Sequence, residues 1–131
     1  MTPKFRAWDI HGQKMFANDE LIIWNGNVYA NDSKKLTCNN LKGWSIDDEY
    51  LMQSTGIRDK NGKEIFEGDI VDYKGRKAIV NWHGSYASFI YRFVDELHKR
   101  NAEWNPLYLA YYRFEVIGNK FENPELLEYN K

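Results

Sequence analysis

The sequence predicts a mainly β protein. Short apolar segments alternate in side-chain character, tight-turn signals separate them, and helix signals are few. Aromatic residues make up 16% of the 131 residues, and aromatic side chains fit the half-buried pleated surface of a sheet. A small all-β barrel is the architecture these features favour. A chain of this length buries about two thirds of the surface it exposes when unfolded, so its core needs no metal or disulfide.

Residues 4–9 (KFRAWD) and 14–16 (KMF) form a first hairpin with Gly12 in its turn, and residues 20–24 and 27–30 a second around Asn25-Gly26. Residues 31–43 (NDSKKLTCNNLKG) are polar and read as a connection. They divide an N-terminal hairpin subdomain, 1–43, from a barrel unit, 44–131. Residues 44–50 fit a short turn of helix or a bare loop, since Ser45 and Asp48 resemble a capping box but no apolar helical period comes after them.

The central run 51–71, LMQSTGIRDKNGKEIFEGDIV, carries an Asn61-Gly62 pair, whose residues accept positive φ and close a tight hairpin. A kink at Gly68 then leads into a strand over 70–73. Lys74-Gly75-Arg76-Lys77 is a tight turn before a strand over 78–82, and His83-Gly84-Ser85 turns into a strand over 86–93, completing a meander.

Residues 94–104 fit a short helix or an exposed loop equally well. Residues 107–117 (LYLAYYRFEVI), aromatic and β-branched, predict one long or two short strands. Asn123-Pro124-Glu125-Leu126-Leu127 has an N-cap residue and then proline, the pattern of a terminal helical turn docking through its leucines. The span from about Thr55 to Leu127 suits a small five-stranded, SH3-like barrel, with the earlier hairpins added to it.

The net charge is -1, from 18 basic and 19 acidic residues, so no whole-protein field draws the chain to nucleic acid or anionic membrane. Cys38 is the single cysteine and excludes an internal disulfide. With neither a signal-like apolar start nor a window of about 20 apolar residues, the chain is expected to be soluble and cytoplasmic.

The sequence resembles the YopX family, small proteins found mostly in bacteriophages and prophages. The resemblance rests on residues 4–9, on 51–56 with 59–71, and on EVIGN at 115–119 with ENPELL at 122–127. It implies a mainly β protein with an SH3-like barrel, a phage or prophage origin, a bacterial host cell as its location and a tendency to self-associate. It implies no catalytic residue.

The candidate site residues weigh toward structure. Asp59, Glu64, Glu67 and Asp69 could bind a divalent cation, but their spacing misses the calcium-loop pattern and turn chemistry accounts for them. His11, His83 and His98 lack helical metal spacing, and Cys38 has no thiol neighbour and no nucleophile motif around it. No catalytic, cofactor-binding or metal residue is therefore assigned, and no cofactor is expected.

Lys74, Arg76 and Lys77 beside Trp82 have the composition of a nucleic-acid contact. The aromatic groups Tyr86, Phe89, Tyr91, Phe93 and Trp104, Tyr108, Tyr111, Tyr112, Phe114 exceed what one small barrel buries. The expected function is thus a non-enzymatic, self-associating interaction module, with a host or phage protein as a further partner. A nucleic-acid-binding barrel is the alternative.

Overall fold

The computed structural model describes residues 4–10, 12–24, 27–30, 44–46, 48–99 and 103–128. It is mainly β, in two compact units, Met1–Ser54 and Thr55–Lys131.

The first unit holds β1 (Phe5–Asp9), β2 (Lys14–Phe16), β3 (Leu21–Trp24), β4 (Asn27–Ala30), β5 (Trp44–Ile46) and the opening half of β6 (Leu51–Arg58). β1 lies between β2 and β6, with Ala7 opposite both Phe16 and Leu51. Ala7 and Phe16 are fully buried and pack with Leu21, Tyr50 and Leu51. The first hairpin forms as the sequence predicts. Its turn favours glycine at position 12: a Cβ there would come 2.5 Å from the Asp9 carboxylate oxygen that accepts the Gly12 N–H at 3.1 Å, and would displace that carboxylate.

The second hairpin also forms, and its register of Trp24 opposite Asn27 leaves two connecting residues. Those residues, Asn25 and Gly26, and the connection 31–43 lie outside the described residues. Residues 44–46 are neither helix nor loop: they form β5, with Trp44 opposite Ala30 and Ile46 opposite Val28. The helical turn comes after it, as a 3-10 turn at Asp48–Tyr50. An aromatic and a β-branched residue at alternate positions suit a strand better than a helix start.

The second unit opens with the closing half of β6 beside β7 (Glu64–Phe66). It then forms an antiparallel sheet of β8 (Asp69–Tyr73), β9 (Arg76–His83), β10 (Ser88–Phe93), β11 (Asn105–Pro106) and β12 (Glu115–Asn119), in the order β11-β10-β9-β8-β12. Ile65, Val71, Ala78, Val80, Leu107 and Phe114 make one buried cluster, joined by half-buried Ile57, Tyr73, Phe89, Tyr91, Phe93, Ala110, Tyr111 and Val116. Because β7, β8, β9, β10 and the 107–114 segment all contribute, the sheet curls around a single interior, the SH3-like barrel the sequence predicts. Ile70, Ile79 and Ile90 are buried too, on the opposite face of their strands.

Lys74 and Gly75 both take positive φ, 51° and 87°, between Tyr73 and its partner Arg76. This two-residue turn matches the twist of its strands, and it sits where the sequence placed a tight turn. The Asn61-Gly62 turn differs from expectation. Only Gly62 has positive φ, at 83°, and the loop over 59–63 is closed by Asp59, whose N–H donates to the Lys63 carbonyl at 2.8 Å and whose carbonyl accepts the Gly62 N–H at 3.0 Å. Gly68 is the expected kink, at φ 87°, with its N–H on the Val80 carbonyl and its own carbonyl accepting the Lys120 N–H. β10 starts at Ser88 rather than residue 86, since residues 84–87 turn between His83 and Ser88 and Ala87 takes φ 49°.

The strands expected over 107–117 are mostly not strands. Leu107–Leu109 and Tyr111–Arg113 are 3-10 turns, and only Glu115–Asn119 pairs, along β8. The inward residues are Leu107, Ala110, Tyr111 and Phe114, a spacing of three, four and seven that belongs to a helical period. Residues 94–96 also form a 3-10 turn. The terminal turn forms at Pro124–Leu127 with both leucines half-buried, but Asn123 makes no side-chain cap. Its carboxamide oxygen instead accepts the Asn119 N–H at 3.2 Å, while Asn119 Oδ1 accepts the N–H groups of Phe121 and Glu122. Gly118 is required here because a Cβ would lie 2.5 Å from that same Asn123 oxygen.

Asp59 ties these parts together. Its Oδ1 accepts the N–H groups of Asn61 at 2.9 Å and Lys63 at 2.8 Å, and its Oδ2 accepts the N–H of Val116 in β12 at 2.9 Å, 57 residues away. Burial raises its affinity for a proton, but the bonds from Val116, Lys63 and Asn61 and the nearby Lys63 charge outweigh that and hold it ionised below the ordinary 3.8. A depressed carboxyl stabilises the fold fully above the unfolded value and loses that contribution as pH falls through the folded one. Asp59→Ala should therefore lower the unfolding free energy by about 3 kcal/mol at neutral pH, and the gap should narrow in denaturant titrations as pH drops below 3.8. In the same titrations Gly118→Ala should cost about 1–3 kcal/mol at all pH values, through overpacking against Asn123.

Candidate functional site

The face of β9 and β10 that points into the barrel ends in a groove. Trp82 continues the inward row of Ala78 and Val80, and its cross-strand partner Phe89 meets it edge-on at 5.0 Å. Ile57, Ala87, Ser88, Leu107 and Tyr108 complete the lining of a cavity of about 270 Å³. Leu107 is fully buried at its base, whereas Trp82 is 48% and Tyr108 59% exposed. No charged side chain lines it.

The helical period of the 107–114 segment accounts for the exposed rim. Turning Leu107, Ala110, Tyr111 and Phe114 inward leaves Tyr108, Leu109 and Tyr112 outward, each more than half exposed. The sequence reading missed this because it took the segment as strand, and the spacing of the apolar residues was the available signal. Of the two aromatic groups, Phe89, Tyr91, Phe93, Tyr111 and Phe114 serve the core, with Tyr91 edge-on to Phe114 at 4.9 Å and its phenol pushed up by burial. Tyr86 and Trp104 do not: they pack edge-on or tilted against His83 and each other, with ring centres 4.6–5.2 Å apart, and His83 Nδ1 accepts the Tyr86 N–H at 3.3 Å.

The structure does not gather the basic turn and Trp82 into one surface. Trp82 stands six residues along β9 from Arg76, about 20 Å at strand spacing. Arg76 is already engaged, with its guanidinium 3.6 Å above the Phe93 ring and two N–H groups on the Asp95 carboxylate at 2.9 and 3.0 Å. The bond from Arg76 holds Asp95 below the ordinary carboxylate range.

The carboxylates of the central run are spread over different structural tasks. Asp59 closes its turn, and fully buried Asp69 accepts the Phe66 N–H at 2.7 Å. Glu64 and Glu67 are half-buried at β7 and the bend after it. Among the described residues no group of three His, Cys, Asp or Glu is placed to hold a metal ion. His83 lies in its aromatic cluster and His98 on the surface, while His11 and Cys38 lie outside the described residues.

A family model described as YopX protein matches residues 4–128. The chain belongs to the YopX family. It is similar to the crystal structure of protein EF1440 from Enterococcus faecalis, at 30% identity and a TM-score of 0.59 over 98% of this chain and 99% of that one. Among curated proteins, none matches the chain. The strings through which the sequence resembles the YopX family now have physical roles. In the central one Asp59, Gly62, Gly68 and Asp69 form bends, and in the closing one Gly118, Asn119 and Asn123 lock the end of β12 to the terminal turn. No helix among the described residues is long and apolar enough to cross a membrane.

The groove separates surface from core sharply enough to measure. Leu107→Ala should cost about 2–5 kcal/mol of stability in chemical denaturation, and Trp82→Ala below about 1.5 kcal/mol, since only the former empties a filled interior.

Proposed function

We propose that this YopX-family chain is a phage- or prophage-encoded, non-enzymatic interaction module of the bacterial cytoplasm that self-associates through the groove of its second unit. The observation that carries the reading is the pairing of a buried apolar floor at Leu107 with an exposed aromatic rim at Trp82 and Tyr108. Tryptophan and tyrosine bury much apolar area for little lost side-chain freedom, and they are the residues through which interfaces gain most of their energy. Leu109 and Tyr86 add exposed apolar surface. A host or phage protein could occupy the same groove in place of a second copy. The use of Asp59 and Asp69 as backbone acceptors supports a structural rather than catalytic role for the acids in the central run.

Light scattering of the purified chain at micromolar concentration should give a mass above that of one chain. Trp82→Glu and Tyr108→Glu should each weaken association by about 2 kcal/mol, enough to yield monomer on dilution, while leaving the thermal midpoint of the folded unit nearly unchanged. A wild-type monomer across that range overturns the reading.

A further inference from the structure

Beside the 3-10 turns that precede β12 lies a surface where cations and aromatic rings alternate. The guanidinium of Arg113 sits 5.2 Å from the centre of the Tyr112 ring and close to the Tyr73 side chain. The Lys74 ammonium lies 5.5 Å from the centre of the Tyr73 ring. Lys60 is joined to the same place through the backbone, its N–H donating to the Phe114 carbonyl at 3.0 Å, and the Tyr73 and Phe114 rings meet edge-on at 6.2 Å. Lys60, Lys74, Tyr112 and Arg113 are all exposed, and Tyr112 is 54% so.

The charge balance of this surface differs from that of the neighbouring hairpin side. Arg76 is neutralised by Asp95 and lies within 4.0 Å of Glu96. Arg113 and Lys74 instead rest on neutral rings, and among the described residues neither they nor Lys60 is in an ion pair. Of the nearest acids in sequence, Asp72 turns its carboxylate to the Gly75 N–H at 3.4 Å and is in no ion pair with Lys74. Asp72 and Glu115 are cross-strand partners, so they share one face of β8 and β12, and strand alternation puts Tyr73 on the other. Asp59, at the base of Lys60, has its carboxylate occupied by backbone N–H groups.

We propose that Lys60, Lys74 and Arg113, with the Tyr112 and Tyr73 rings between them, form a binding surface for single-stranded nucleic acid. The cations take successive phosphates, and the exposed Tyr112 ring with its Arg113 guanidinium offers a platform on which a base stacks. Three cations without carboxylate partners supply backbone attraction with no sequence readout. Stacking selects single strands, because in a duplex the base faces are already occupied. This surface uses none of the residues that line the groove, so it operates alongside association rather than through it.

The test is fluorescence polarisation of the full chain with a labelled oligothymidylate of about 16 nucleotides, a matched duplex, and polyglutamate as competitor. The wild type should bind the single strand and lose about twentyfold in affinity between about 50 and about 200 mM salt, as three phosphate contacts require. The combined variant Lys60→Ala, Lys74→Ala, Arg113→Ala should abolish binding and flatten the salt response. Tyr112→Ala alone should weaken the single strand about tenfold and leave any duplex binding unchanged. A thermal melt of each variant confirms that it is folded, and Lys99→Ala, which removes a cation paired with Glu96, should bind like the wild type. No binding at low salt, binding that survives the triple variant, equal affinity for duplex with no effect of Tyr112, or displacement by polyglutamate at equal charge would each overturn the proposal.

Discussion

The second unit depends on one carboxylate. Asp59 accepts two N–H groups within its own turn and a third from Val116, so the bend that starts the barrel and the strand that ends it are fixed by the same two oxygens. Hydrogen bonds to an ionised acceptor are about twice as strong as neutral ones, and here they replace water around a residue only 6% exposed. The neighbouring Lys60 N–H to the Phe114 carbonyl adds a further tie between the same two segments. Without them, the β12 side of the sheet would meet the central turn through side-chain packing alone.

This clip determines where the aromatic residues go. With β12 anchored, the 107–113 segment must cover the barrel interior and return to Phe114 within a few residues, and 3-10 turns do this compactly. Their period buries Leu107, Ala110, Tyr111 and Phe114 and exposes Tyr108, Leu109 and Tyr112. Among these exposed residues Tyr108 rims the groove with Trp82, while Tyr112 carries the Arg113 guanidinium. Both functional readings therefore arise from the same local geometry, and neither needs the acidic residues that first invite attention in the sequence.

Much of the architecture was legible in the sequence because it is encoded locally. Alternation marked β8 and β9, Gly68 and Lys74-Gly75 announced their bends, and proline after Asn123 marked the terminal turn. The misread elements are those whose cause is distant. The Asn61-Gly62 pair looked like a self-sufficient hairpin, whereas its loop is shaped by a carboxylate also serving Val116. Asn123 looked like a helix cap, but its carboxamide is better used on Asn119. In 107–113 the β propensity of tyrosine lost to burial of a helical stripe, a tertiary override that propensity cannot foresee. The exposed rim was read only as an excess of aromatic residues, although the three, four and seven spacing of Leu107, Ala110, Tyr111 and Phe114 carried the signal of which neighbours point outward.

Native-state hydrogen exchange tests the role of Asp59 most directly. If the carboxylate clip holds the barrel together, the amides of Asn61, Lys63 and Val116 should exchange only through global unfolding, with the same opening free energy as the central-strand amides of β9. Exchange of the Val116 amide through a local opening, at a free energy several kcal/mol below that of β9, would contradict the account: β12 and the central turn would then be held by packing, with the hydrogen bonds incidental.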